Sequence, residues 1–295
     1  MTSRQRPGDA PFTRRNPRVA AASRLRRRRD RDAARRFLAE GPQAVREALQ
    51  QPGVVRELFA TPAAAHRHPD LVNAARRGGV PVWAVTEQAA AALSETVTPQ
   101  GLVAVCDHVD VPLAAALSPP PRLAAVLVEI RDPGNAGTVL RTADAAGAGL
   151  VVVAGDAVDP YNGKCVRATA GSLFHVPVVR AADPGEVVDR LRTAGLRVLA
   201  ATGRGETDLD TMPDEALAAP TAWLFGSEAH GLPAPLLEAA DERVRVPIHG
   251  RAESLNLAAA AAVCLYTSAR AQRRKEPDRD PDDLPPARER RAVDV

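Results

Sequence analysis

Short apolar runs recur through the second half of the chain, each broken by turn residues and followed by a helical stretch. This alternation constrains the fold more than any other feature. Residues 123–130 are almost wholly apolar until Glu129, which suits a strand buried on both faces rather than a half-exposed one. Residues 150–154, 196–201, 221–225 and 243–246 repeat the pattern, with helix-length segments between them. That order predicts an α/β domain on a largely parallel sheet, ending in a helix over 254–272.

A smaller α/β unit precedes it. Residues 57–61, 80–85 and 101–107 read as strands and 69–77 and 86–93 as helices, while 35–49 spaces Phe37, Leu38, Val45 and Leu49 like one helical face interrupted at Gly41 and Pro42. Residues 111–121 (VPLAAALSPPP) join alanine to a proline run and read as a semi-rigid linker. The expected organisation is a basic disordered arm at 1–34, a small domain at 35–110, the linker, a larger domain at 122–272, and a charge- and proline-rich disordered tail at 273–295.

The formal charge of +3 conceals an asymmetry. Residues 1–36 hold 13 arginines against Asp9, Asp30 and Asp32, a net of +10, so the 26 basic and 33 acidic residues that remain net −7. An arm of this kind suits contact with nucleic acid phosphates, which accept bidentate hydrogen bonds from guanidinium; a solubilising tail is the alternative. No apolar stretch reaches the roughly 18 to 20 residues of a membrane helix, and no apolar segment follows the N-terminal charges, so a soluble cytoplasmic protein is expected. Cys106, Cys165 and Cys264 lie far apart without a CxxC pair, and the His66/His68 HxH has no second ligand cluster. Neither a disulfide framework nor a metal is expected.

Three segments carry candidate chemistry. Residues 129–141 (EIRDPGNAGTVLR) run from a strand end through a glycine turn into a helix, where Asn135 could cap the helix and Arg141 sits almost two turns on. Residues 224–232 (LFGSEAHGL) place Glu228 between two glycines that allow close backbone approach. Residues 246–257 (VPIHGRAESLNL) lead into the last helix with Ser254 and Asn256 at its entry. Each alone fits an ordinary turn or cap; together they put polar groups after three strands of one sheet. Competing phosphate motifs fail, because Gly203-Arg-Gly205 lacks the third glycine of GxGxxG and no GxxxxGK[ST] is present.

In order and spacing the three segments resemble the motifs of the SpoU (TrmH-like) RNA 2'-O-ribose methyltransferases of the SPOUT superfamily, over roughly residues 123–271. The resemblance implies a C-terminal methyltransferase domain with a parallel sheet and a trefoil knot, and a smaller N-terminal α/β domain that binds substrate RNA. It further implies S-adenosyl-L-methionine held through backbone groups near Thr202, Gly226, Val246, Ile248 and Leu255, and a catalytic set of Asn135, Arg141, Glu228, Ser254 and Asn256. A homodimer and a metal-free reaction belong to the same expectation. Arg141 is the family's proposed base, although a guanidinium pKa above roughly 12 equally suits orienting phosphate and stabilising a forming alkoxide. The separate domain and basic arm favour large-subunit (23S) ribosomal RNA. A transfer RNA methyltransferase, or a non-catalytic RNA-binding assembly factor, is the alternative. Aromatic residues make up 3% of the chain, so extensive base stacking is not expected.

Overall fold

The computed structural model describes residues 10–275. Four strands form the first sheet: β1 (Arg36–Glu40), β2 (Val55–Ala60), β3 (Val82–Ala84) and β4 (Leu102–Asp107), in the spatial order β1-β4-β2-β3. β4 is antiparallel to β1 and β2, and β3 is parallel to β2. Phe37, Leu58, Leu102 and Ala104 on one face join a core with helices Pro42–Leu49 and Pro69–Arg77. Leu38, Phe59, Trp83, Val103 and Val105 on the other pack against helices Pro17–Arg24 and Glu87–Leu93.

The expected disordered arm is corrected by this packing. Residues 1–9 lie outside the described residues, but Pro17–Arg24 and Arg28–Ala34 are helices, the first capped by the Asn16 side chain on Arg18 N–H at 2.9 Å. Val19, Ala22 and Leu25 recur every three residues and are buried against the sheet, and Phe12 stacks on Trp83 at 5.6 Å. Arginine density masked that apolar stripe. Many of the charges are matched by acids of the folded body: Arg18 by Glu57, Arg26 by Glu95, Arg31 by Asp159 and Arg36 by Asp107.

Residues 35–49 are likewise a strand and a helix, not one helix. Gly41 at φ 90° separates them, and β1 is drawn into the sheet by pairing with β4, an interaction that local spacing does not encode. The linker is no free spacer either. It contains a short helix, Leu113–Ala116, and Val111, Leu113, Ala116 and Leu117 pack on the second core, with Val111 N–H donating to the Val178 carbonyl at 2.9 Å.

Seven strands form the second sheet: β5 (Leu123–Val128), β6 (Leu150–Ala154), β7 (Val178–Ala181), β8 (Arg197–Ala201), β9 (Thr207–Asp208), β10 (Thr221–Phe225) and β11 (Glu242–Arg245). Their order is β7-β6-β5-β10-β8-β11-β9, and every adjacent pair is parallel. Leu123, Ala125, Leu127, Trp223 and Phe225 face helices Pro133–Ala146, Gly163–Ala168 and Leu257–Lys275. Ala124, Val126, Val128, Ala222 and Leu224 face helices Pro184–Thr193 and Ala234–Ala239. Burial on both faces explains the continuous apolar strands. The last helix runs three residues beyond the expected 272, and the tail from 276 lies outside the described residues.

The two domains share a core. Phe37 of β1 lies 4.7 Å from the Tyr161 ring and 6.0 Å from Phe174, both from the second domain. Arg31 and Asp159, each with a side chain 3% exposed, pair across the boundary at 2.7 Å. His175 bridges Glu47 of the first domain at 3.1 Å and Asp144 of the second at 2.8 Å.

Candidate active site

Parallel pairing brings distant loops to one edge. Phe225 is in register with Leu127 and with Ala201, and Ala201 with Val244, so the residues that leave β5, β10, β8 and β11 emerge side by side. This carboxyl edge is where open parallel sheets collect ligands.

After β5 the chain enters helix Pro133–Ala146. Asp132, not Asn135, is its N-cap: the Asp132 carboxylate accepts the Asn135 N–H at 2.8 Å, with Pro133 at the first helical position. Lys164 lies 2.6 Å from the other oxygen of Asp132. The Lys164 ammonium and the Asn135 N–H together hold the Asp132 carboxyl below the usual range. Sequence reasoning passed over Asp132, although an aspartate immediately before proline at a helix start is the signal that marks it.

Freed from capping, the Asn135 side chain spans two loops. Its Nδ2 donates to Glu228 Oε1 at 2.5 Å, and its Oδ1 accepts from Asn256 Nδ2 at 3.2 Å. Asn256 is fixed in turn by the last helix. Its Oδ1 accepts from Ala258 N–H at 2.9 Å and its carbonyl from Ala260 N–H at 2.9 Å, so the helix starts at Leu257 rather than at 254. Three of the five expected catalytic residues therefore meet in one hydrogen-bonded chain, Asn256 to Asn135 to Glu228.

Two do not join them. Arg141 stands six residues past Asn135, about 240° round the helix at 3.6 residues per turn. It is exposed and has no hydrogen-bond or ion-pair partner among the described residues. Ser254 is exposed in the loop before the last helix, again without a side-chain partner among the described residues.

The residues expected near the cofactor line the adjacent loops. Thr202 leaves β8 and donates its N–H to the Val244 carbonyl at 2.9 Å, tying that loop to β11. Gly226 leaves β10 in a turn closed by Gly231 N–H to the Ser227 carbonyl at 2.8 Å. A Cβ on Gly226 would lie 2.3 Å from the Gly231 carbonyl carbon and 2.4 Å from Leu232 N, so the close approach this glycine permits is to its own chain. Among the described residues the backbone N–H groups of Gly226, Val246, Ile248 and Leu255 donate no hydrogen bond, while Ile248 and Leu255 expose 38% and 39% of their surface. Unmet donors beside apolar side chains suit a ligand with both polar and apolar parts.

Comparison with known proteins identifies the family and the fold. Residues 122–266 match the SpoU rRNA Methylase family and residues 16–104 match the MRM3-like substrate binding domain. The 23S rRNA (guanosine(2553)-2'-O)-methyltransferase RlmP of Bacillus subtilis is 36% identical over 251 residues, covering 85% of this chain and 95% of that protein. A crystal structure of an AdoMet-bound rRNA methyltransferase from Sinorhizobium meliloti aligns with a TM-score of 0.74 at 32% identity, over 86% of this chain and 95% of that one. The SpoU methyltransferase AviRb from Streptomyces viridochromogenes, in complex with AdoMet, aligns with a TM-score of 0.76 at 31% identity, over 88% and 100%. The substrate-binding match begins inside the segment whose helices pack on the small sheet, and the methylase match begins where β5 does. On motif, fold and coverage, the chain belongs to the SpoU rRNA methylase family.

Proposed function

We propose that this protein is an RNA (ribose-2'-O-)-methyltransferase that transfers the methyl group of S-adenosyl-L-methionine to a ribose 2'-hydroxyl of large-subunit (23S) ribosomal RNA. The observation that carries the reading is Asn135 held between Glu228 and Asn256 at the sheet edge, beside the loops with unmet backbone donors. Those loops suit the cofactor: Gly226, Val246, Ile248 and Leu255 offer backbone N–H groups to its polar ends, and the Ile248 and Leu255 side chains offer apolar surface. When bound, S-adenosylmethionine supplies an electrophilic methyl for in-line displacement.

This chain's own residues supply alignment and proton handling. Asn135 has one amide hydrogen left after its bond to Glu228, and Glu228 has a second carboxylate oxygen, so the pair can receive a ribose hydroxyl from two sides. Fixing that hydroxyl in line removes much of the entropic barrier. Glu228 is the proton acceptor the cluster contains. Arg141, exposed and without a partner among the described residues, is suited to a phosphate or to negative charge developing on the attacking oxygen rather than to taking a proton. Ser254, in the same exposed loop as Leu255, is placed to position substrate.

Three expectations accompany this reading. After β11, two strands away from β10, the chain comes back in Leu257–Lys275 to pack on β5 and β10, a path compatible with a trefoil knot. Val263 and Tyr266, one turn apart on that helix, expose 40% and 49% of their surface, which supports a homodimer through this face. The protein acts in the cytoplasm on an RNA that the N-terminal domain helps to bind.

Incubation with tritiated S-adenosylmethionine and unmodified 23S RNA should label the RNA, with the label on ribose after nuclease digestion. Asn135→Ala should lower kcat by about 100-fold, the loss typical of one positioned polar group. No transfer to ribosomal or transfer RNA would overturn the reading. Arg141→Ala with both RNA binding and methylation intact would remove Arg141 from the mechanism.

A further inference from the structure

A cleft of about 460 Å³ opens between helix Arg28–Ala34 and the carboxyl ends of β6 and β7. Guanidinium groups from both domains line it: Arg28 and Arg35 from the first, Arg180 from β7. Two carboxylates arrange them. Asp32 pairs with Arg180 at 3.0 Å and with Arg28 at 3.7 Å, and Asp110 pairs with Arg35 at 3.2 Å. Three cations against two anions leave the cleft with a positive charge. The Arg28 and Arg35 side chains are 54% and 59% exposed, and each guanidinium has five N–H donors, so most of their donor capacity is unused. The inner wall is different in kind, with Val153, Ala157, Val158 and Pro160 largely buried there.

The position of the cleft relates it to the candidate active site. β7 and β6 are the next two strands beyond β5, whose end leads to Asn135, so both sites occupy one edge of one sheet. Neighbouring strands lie about 4.8 Å apart, which sets β7 roughly 10 Å from β5. The Arg131–Asp156 pair at 3.0 Å lies on the short path between them. A volume within the usual range for small-ligand pockets, an apolar wall and a fan of guanidinium donors fit a sugar-phosphate with its base.

We propose that this interdomain cleft binds a nucleotide flanking the methylated one, its phosphate held by Arg28, Arg35 and Arg180 and its base or ribose against the Val153–Pro160 wall. The site sets the register of the RNA, so that residues of both domains grip the strand while the loops after β5 and β10 present Asn135 and Glu228 to the target ribose. The inference rests on the RNA methylation reading for its choice of ligand.

Two variants test it differently. Arg28→Gln/Arg35→Gln removes charge, and Ala182→Trp fills the cleft without changing charge; Arg76→Gln/Arg77→Gln, on the exposed last turn of helix Pro69–Arg77, is the charge-matched control. With unmodified 23S RNA as the probe, both cleft variants should raise the RNA KM and Kd roughly tenfold, the double variant by losing charge-assisted contacts and Ala182→Trp by excluding the nucleotide, and leave the affinity for S-adenosylmethionine unchanged. The double variant should also make the slope of log affinity against log salt shallower by about 1.4, two single-strand phosphate contacts, whereas Ala182→Trp should not. Wild-type KM and Kd in both cleft variants, or an equal loss in the control, would overturn the proposal. If the wild-type protein binds this RNA but does not methylate it, the methylation reading fails and the Kd comparison alone decides the cleft. If it does not bind the RNA at all, both fail.

Discussion

Replacing Arg31 with methionine tests whether the arginine-rich N-terminal segment is part of the folded body. The guanidinium is held by four contacts: Nε and Nη2 to Asp159 Oδ2 at 2.8 and 2.7 Å, and Nη1 to the carbonyls of Leu25 at 3.0 Å and Arg26 at 2.8 Å. Methionine fills similar volume but leaves Asp159 buried with the Tyr161 N–H at 3.0 Å as its remaining hydrogen bond among the described residues. Breaking one side of a buried pair costs about 3–5 kcal/mol, because the abandoned charge keeps its desolvation penalty. At about 2–3 °C per kcal/mol for a chain of this length, Tm should fall by roughly 6–15 °C. Trp83 and Trp223 report one domain each, so urea unfolding followed by fluorescence will show whether both transitions move. Adding Asp159→Leu should recover much of the loss, since an apolar replacement of both partners is often neutral. Trypsin gives a second readout: it should cut the segment in the variant and spare it in the wild type. A change below about 0.5 kcal/mol, the size of an ordinary surface substitution, would mean the helix is not docked.

Gly226→Ala should abolish S-adenosylmethionine binding in calorimetry while costing about 1–3 kcal/mol of stability, because the new methyl meets backbone on the opposite limb of its own turn; retained binding would show the turn to be dispensable. Hydrogen bonds to Asp144 and then Glu47, outweighing burial, hold His175 above its ordinary value. Its contribution is therefore complete below the unfolded value of about 6.5 and is lost as pH rises through the elevated folded one, so the urea midpoint should fall over that window in the wild type and less in His175→Gln. His108 has the opposite sign, since burial pushes its pKa down; its ring stacks on Tyr161 at 3.9 Å, and neither ring nitrogen has a hydrogen-bond partner among the described residues. His108→Phe should thus be neutral or stabilising, with the gain growing as pH falls below about 6.5, and a destabilised variant would contradict this. Burial raises the thiol pKa of Cys106, and raises those of Cys165 and Cys264 to about 12, so none should react with a thiol reagent until the protein unfolds.

The sequence by itself determined the elements whose signal is local. Strands at 150–154 and 221–225 and the helix at 69–77 have the boundaries their apolar runs and periodicity predict, because a strand buried on both faces must be apolar throughout and a surface helix must carry a stripe. Motif order likewise pointed to the edge of the parallel sheet and to the residues there. Tertiary structure alone decided the rest. β7 is four residues long, between Pro177 and the charge-rich stretch that follows, and exists because β6 offers it an edge. The helices at 17–34 looked like a charged tail until the first domain's acids and the apolar face of its sheet supplied their partners. Asn135 meets Glu228 and Asn256 across separations of 93 and 121 residues, and Arg141, from the same motif, makes no contact with them. Local pattern records what each segment must bury or cap; which loops meet depends on strand order, and that depends on long-range pairing that no window of sequence contains.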